Sequence, residues 1–192
     1  MQIVSQVIFL LAVVGGIGLF VRRLSGIRKN ILLGKEADYS DNPSERWKNV
    51  FLLAFGQKKM FRNPFVAVLH FFVYAGFIII NIEILEIILD GVLGTHRLFA
   101  PALGGLYHFL IDAFEILALL VIVSCAIFLA RRNIIKLRRF ISKDLDGWPR
   151  SDANYILITE IILMLLFLTM NATDYSLQAK GYGSYAAQPV GP

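Results

Sequence analysis

Cysteine is almost absent from this sequence: Cys125 is the only one among 192 residues. Iron–sulfur clusters are held by several cysteine thiolates, so the chain holds no iron–sulfur cluster of its own. No disulfide can form within it, and cysteine usage says nothing about the redox compartment. Lying in an apolar run, the lone thiol reads as a small packing residue. Positive charge is missing from the N-terminal flank MQIVSQ, and Arg22 and Arg23 follow the first apolar run instead of preceding it. A cleaved signal peptide has the opposite order, so this run is expected to stay in place as a helix. Internal repeats and broken apolar segments, which mark many carriers, are also missing. No nucleic-acid motif accompanies the pI of about 9.4, so nucleic acid is not an expected partner.

Apolar residues are what the chain has in abundance. They make up 57% of it, and the mean hydropathy is +0.65, too apolar for an ordinary soluble domain. They cluster in four runs, at roughly 3–21, 65–89, 106–130 and 154–171, each long enough to cross about 30 Å of hydrocarbon. The expected fold class is all-α, a polytopic membrane bundle of four transmembrane helices covering 1–175, with an irregular tail over 176–192. Of 19 Lys and Arg residues, ten lie from Arg22 to Arg62 and seven from Arg131 to Arg150. By the positive-inside rule the loops 22–64 and 131–153 are cytoplasmic, which puts both termini outside.

The first of these loops has two parts. A polar, turn-rich stretch leads to Pro43, where a helix can begin with Asn42 as N-cap. The following SERWKNVFLLAFGQKKMFRNP mixes Trp47, Phe51, Phe55, Met60 and Phe61 with Lys48, Lys58, Lys59 and Arg62. That mixture suits an interfacial helix on the cytoplasmic leaflet, or a helix packed on a soluble partner. Pro64 marks the start of the second span. In the second loop, RRNIIKLRRFISKDLDGWPRSDANY is expected to continue the third helix past the membrane, its basic residues reaching lipid headgroups. DGWP ends it, and Ser151 or Asp152 can cap the fourth span.

Ionisable residues inside the spans carry the functional question, because each costs about 2.5–3.5 kcal/mol or more in hydrocarbon. His70 lies about 7–8 Å into the second span from its cytoplasmic start, whereas His108 begins the third span near the outer face. Two axial imidazoles on one iron must share a depth, so His70 and His108 cannot both ligate one haem. His70, Tyr74, Phe77 and Asn81 share a helical stripe that is expected to face inward. Glu83, Glu86 and Asp90 form a second stripe, and His108, Asp112 and Glu115 a third. The short outer loop makes spans two and three antiparallel neighbours, so Glu83, Glu86, Asp112 and Glu115 can form a polar pocket with His108, with His96 and Arg97 at its mouth. Other readings stay open. His70 can be a haem ligand, a proton carrier or a packing residue. The acids can reach toward headgroups, most easily at Asp90. A di-metal site would want Glu-x-x-His, and only Glu-x-x-Glu and Asp-x-x-Glu occur. Glu160 stands alone near the cytoplasmic side.

The strings GQKKMFRNP, LHFFVYAGFIIINIEILEIILDGVLGTHR and GWPRSDANYIL resemble the N-terminal membrane domain of bacterial (Fe–S)-binding oxidoreductases. That family is related to the membrane subunit of heterodisulfide reductase and to the gamma (cytochrome b) subunit of respiratory nitrate reductase. The resemblance implies a bacterial inner-membrane domain of five helices that carries haem b (heme b) and exchanges electrons with menaquinone or another quinone. It makes His70 the matching metal ligand, paired with a histidine on a fifth helix, with His108 the other cofactor-binding candidate. The partners it implies are membrane lipid, an iron–sulfur oxidoreductase module or subunit, and an electron-transfer flavoprotein. The chain ends after four spans without a cysteine-rich module, which reads as a truncated or split member. The expected function is a membrane anchor and electron-transfer subunit. The competing readings are a proton- or ion-translocating protein and a cofactor-free anchor.

Overall fold

In the computed structural model the described residues are 2–35, 40–137, 140 and 147–179. They form α1 (Gln2–Leu32), α2 (Pro43–Asn49), a π-helical turn (Val50–Phe55), a 3-10 turn (Lys58–Arg62), α3 (Pro64–Leu93), α4 (Ala100–Leu103), α5 (Gly105–Asn133), α6 (Trp148–Thr173) and α7 (Tyr175–Ala179). There is no strand among them. Four helices, α1, α3, α5 and α6, are long and apolar enough to cross a membrane, and the protein is an all-α, multi-pass membrane protein. Prolines occur only in the first turns of these long helices: Pro64 opens α3, and Pro149 lies in the first turn of α6. A missing N–H is harmless there because no earlier carbonyl waits for it.

The helix ends depart from the sequence expectation. α1 runs on to Leu32, so Arg22, Arg23, Arg28 and Lys29 ride on a helix and not on a loop. Asn42 holds the N-cap position of α2 but makes no side-chain cap bond. α5 stops at Asn133, because the N–H groups of both Ile134 and Ile135 converge on the Ala130 carbonyl and close the turn. The expected continuation through Leu137 does not form. α6 begins at Trp148, so Ser151 and Asp152 lie inside it and cap nothing. The tail expected to be irregular over 176–192 begins instead in α7, and its remainder, 180–192, lies outside the described residues.

The chain divides into two compact units, Met1–Lys59 with Leu85–Leu98, and Met60–Ile84 with Phe99–Pro192. In the first, α1 meets the last turns of α3. Gln6 Nε2 donates to the Val92 carbonyl at 2.7 Å, and a Cβ on Gly91 would come within 2.2 Å of the Phe9 ring. Asp90 organises the turn that follows. Its Oδ1 accepts from Thr95 Oγ1 at 2.6 Å and from the Leu98 N–H at 3.1 Å, and its Oδ2 accepts from the Arg97 N–H at 2.7 Å. Those bonds hold Arg97 at a φ of +56°, which side chains rarely adopt.

In the second unit α5 is central. Ile111, Phe114, Ala118, Val121 and Cys125 form a buried seam, packed with Ile80 of α3 and with Met164, Phe167 and Leu168 of α6. Spacings of three and four keep such a seam on one side of a helix. The first turns of α3 run antiparallel to α5: Phe65 meets Arg131, and Gly76 meets Leu117 and Val121. α6 is antiparallel to α5 as well, tied by Arg132 Nε donating to Asn154 Oδ1 at 3.1 Å. A Cβ on Gly76 would lie 2.4 Å from Val121 Cγ2. Valine is stiff at χ1 and has little room to yield. Gly76→Leu is therefore expected to cost about 1–3 kcal/mol by overpacking. The loss should appear as a lower thermal midpoint in detergent and be largely recovered by adding Val121→Ala. A wild-type midpoint for the single variant would refute the close approach of α3 and α5.

Candidate functional site

Two polar layers cross the second unit, and their depths follow from the helix register. With Gly76 beside Leu117 and Val121, residue 83 of α3 comes level with residue 112 of α5. With Asn154 beside Arg132 and Asn133, residue 171 of α6 comes level with residue 115. The first layer therefore gathers Glu83, Asp112, Glu115 and Asn171. All four are buried, Glu115 and Asn171 at 0% exposure. His108 lies one turn from Asp112, with Nδ1 3.4 Å from Asp112 Oδ2, and its side chain is 40% exposed. The layer thus has an enclosed carboxylate interior and a histidine that reaches the surface.

Enclosure matters because charge development is far more costly between helices than in water. A chain of carboxylate and imidazole groups can pass protons on over hydrogen-bond distances. Glu86, one turn beyond Glu83 on α3, is also buried and belongs to the first unit, as do His96 and Arg97. Asp90 has its carboxylate engaged with the following turn, which gives it an architectural role.

The second layer lies toward the end that carries Arg131 and Arg150. His70 of α3 comes level with Ser124 and Cys125 of α5, and with Glu160 of α6. Cys125 and Ser124 are fully enclosed, and Ser124 Oγ has no hydrogen-bond partner. His70 is half-buried and makes no hydrogen bond or ion pair among the described residues, so an imidazole nitrogen stands available. Its level holds no second imidazole. Counted along α3, His108 is displaced from His70 by about 25 Å. The described residues fit His70 as one ligand of a haem, and they do not fit His70 and His108 as a pair on one iron. Among the described residues no group of three or more His, Cys, Asp or Glu side chains could hold a metal ion. The di-metal reading therefore has no ligand set here.

The His70 stripe of α3 does not face inward throughout. Phe77 is 63% exposed and Asn81 is exposed too, so the lower part of the His70 stripe looks outward. Asn81 Nδ2 donates to the Phe77 carbonyl of its own helix, and this bond removes the need for an inward partner. Glu83 and Glu86 of the carboxylate stripe are buried, in keeping with the expectation that these acids turn away from lipid. Asn171 was not among the sequence candidates; it stands at the end of the fourth apolar run, in the last turn of α6, where a single amide gives little signal.

The chain is similar to the protein named probable iron-sulfur-binding oxidoreductase FadF of Bacillus subtilis (strain 168). Identity is 26% over 137 residues, which is 71% of this chain and 19% of FadF. The chain thus spans about a fifth of the length of that curated relative. No family model matches it, and no solved structure does.

A buried layer of acids sets a sharp charge rule. Glu115→Gln keeps the shape and a hydrogen-bonding terminus, and is expected to leave folded yield within about twofold of wild type. Glu115→Lys places a cation at a fully enclosed position and should lower folded yield by more than about tenfold. Size-exclusion chromatography of the detergent-extracted variants reads the difference. Equal yields would show that position 115 is open to water.

Proposed function

We propose that this chain is the membrane-embedded electron-transfer part of an oxidoreductase, joining a quinone pool to an iron–sulfur module. The observation that carries the reading is the enclosed acidic layer of Glu83, Asp112 and Glu115 with His108 at its edge. Helix packing alone gains little from several carboxyl groups at one depth, whereas a reaction that releases protons there needs acceptors. The similarity to FadF, whose name describes an iron–sulfur-binding oxidoreductase, supports the redox half of the reading.

Oxidation of a quinol to its quinone breaks two O–H bonds and yields two protons and two electrons. In this mechanism a lipid-dissolved quinol reaches the acidic layer from the side. Asp112 and Glu115 accept the protons as the O–H bonds break, and His108 hands them from Asp112 toward the surface. Removing positive charge as it forms keeps the semi-oxidised carrier from stalling. The electrons leave toward the His70 layer. His70 would hold a haem b there, and that group would supply one-electron chemistry between a two-electron carrier and a one-electron cluster. By this reading the basic residues on Arg22 to Arg62 and Arg131 to Arg150 face the cytoplasm, where the iron–sulfur module docks. An electron-transfer flavoprotein is a fitting soluble partner for that module. Reversed, the same layers reduce a quinone.

Reduced-minus-oxidised absorption spectra of the membrane complex test both halves. A b-type haem signal is expected in wild type and should vanish in His70→Ala at an unchanged size-exclusion profile. In Asp112→Asn and Glu115→Gln the spectrum should remain, while quinol-driven reduction slows by about a hundredfold. Two outcomes count against the proposal. A folded complex without haem removes the His70 half, and carboxamide variants that reduce at the wild-type rate remove the quinol half.

A further inference from the structure

Arg131 and Arg132 are sequence neighbours near the end of α5, yet the structure uses them differently. Arg132 turns toward α6, where Nε donates to Asn154 Oδ1 at 3.1 Å and Nη2 to the Arg150 carbonyl at 3.2 Å. Its guanidinium also lies 4.9 Å over the Phe140 ring. Those donors are used inside the protein. Arg131 points about 100° away around the helix. Its guanidinium lies 5.7 Å from the centroid of the Phe65 ring at the start of α3. The Nε of Arg131 is sealed from solvent and donates to nothing. Among the described residues the Arg131 side chain makes no ion pair and no hydrogen bond, so its terminal Nη groups remain for an outside acceptor.

The surroundings identify that acceptor. Phe65 is 54% exposed, and Val68 and Phe71 continue an exposed apolar track along α3. Spacings of three residues keep that track on one side of the helix. Arg62 is exposed, three residues before Phe65. Depth comes from α6. Trp148 and Tyr155 pair with ring centroids 6.3 Å apart and both are exposed, on the first turns of a helix bonded to Arg132 through Asn154. Exposed Trp and Tyr at the end of a membrane helix mark the headgroup zone. Arg131 therefore combines a cation at phosphate depth with an apolar track that leads away along the span. A protein carboxylate would satisfy the guanidinium but leave the track bare, whereas a phospholipid fits both.

We infer that the surface formed by Arg131 and Phe65 is a binding site for one anionic phospholipid. Its phosphate sits on Arg131 with Arg62 nearby, and an acyl chain follows Phe65, Val68 and Phe71. The cation–π contact with Phe65 holds the guanidinium beside the ring, leaving its Nη groups to donate to phosphate. The carboxyl end of α5 adds a partial negative charge that keeps the arginine seated. The site is independent of the quinone and haem reading.

Native mass spectrometry of the full chain in detergent tests it, with dioleoylphosphatidylglycerol and dioleoylphosphatidylcholine as the added lipids. Wild type should retain phosphatidylglycerol in preference to phosphatidylcholine. Arg131→Gln should weaken that retention about tenfold, Phe65→Ala about threefold, and Arg28→Gln on α1 should leave it unchanged. Should Arg131→Gln fail to fold, Phe65→Ala carries the test. Equal retention of the two lipids by wild type, or wild-type retention by the Arg131 and Phe65 variants, overturns the inference. Release of phosphatidylglycerol by millimolar inorganic phosphate overturns the lipid assignment in favour of a free anion.

Discussion

A carboxyl group in a hydrocarbon layer must be enclosed by protein, and this constraint organises the second unit. Each exposed charge at the middle of a span costs about 2.5–3.5 kcal/mol even on lenient scales. Glu83 on α3 and Asp112 and Glu115 on α5 escape that cost only if the two helices turn these faces toward each other. Gly76 makes the approach possible, since any side chain there would strike Val121. Rotation of α3 about its axis is thus fixed twice, by a glycine that must face α5 and by a glutamate that must not face lipid. Both lie on the same side, seven residues apart, which is close to two turns.

The polar groups at the helix ends obey a different rule. Asp90 and Arg132 sit where backbone groups run out of intrahelical partners, and both spend their side chains on that deficit. Neither needs a ligand to be satisfied. His70 and Arg131 contrast with them. Each is partly enclosed, carries donors or acceptors unused by the described residues, and stands beside exposed apolar surface. Unused donors and acceptors beside apolar surface are what draw the cofactor and lipid readings to these two positions.

Much of this was readable from the residues. Four apolar runs with basic residues grouped between them leave no other fold class, because a backbone in lipid must bond internally. The acids of α5 fell on one stripe by spacing alone. What spacing does not say is which stripe packs. Two stripes of α3 were read as facing protein, the carboxylate stripe toward α5 and the His70 stripe because it mixed aromatic and polar side chains. Asn81 misled that judgement, since its amide finds a carbonyl on its own helix and needs no neighbour. Helix ends were misjudged for a similar reason. Basic residues after Val21 read as loop, but Arg and Lys are good helix formers, and α1 continues through them. Asn171 escaped notice because one amide in an apolar run has no pattern; only the register of α6 against α5 gives it a meaning.

The order of polar groups along α5 completes the picture. Asp112 and Glu115 come first, Ser124 and Cys125 follow, and Arg131 and Arg132 close the helix. Its seam, Ile111 through Cys125, is apolar and fully packed, and the acids flank this seam without interrupting it. Flanking positions are half-turned toward neighbours, so a small rotation of α5 would move a carboxylate from protein toward lipid. The seam resists that rotation by close packing, and the acids resist it by desolvation. The two resistances reinforce each other, because the face that is best packed is bordered by the groups that are worst exposed. A helix held this way keeps Asp112 and Glu115 at a fixed distance from Glu83 of α3. That fixity is what the proposed proton-accepting role would require, since proton transfer falls off sharply once groups leave hydrogen-bond reach.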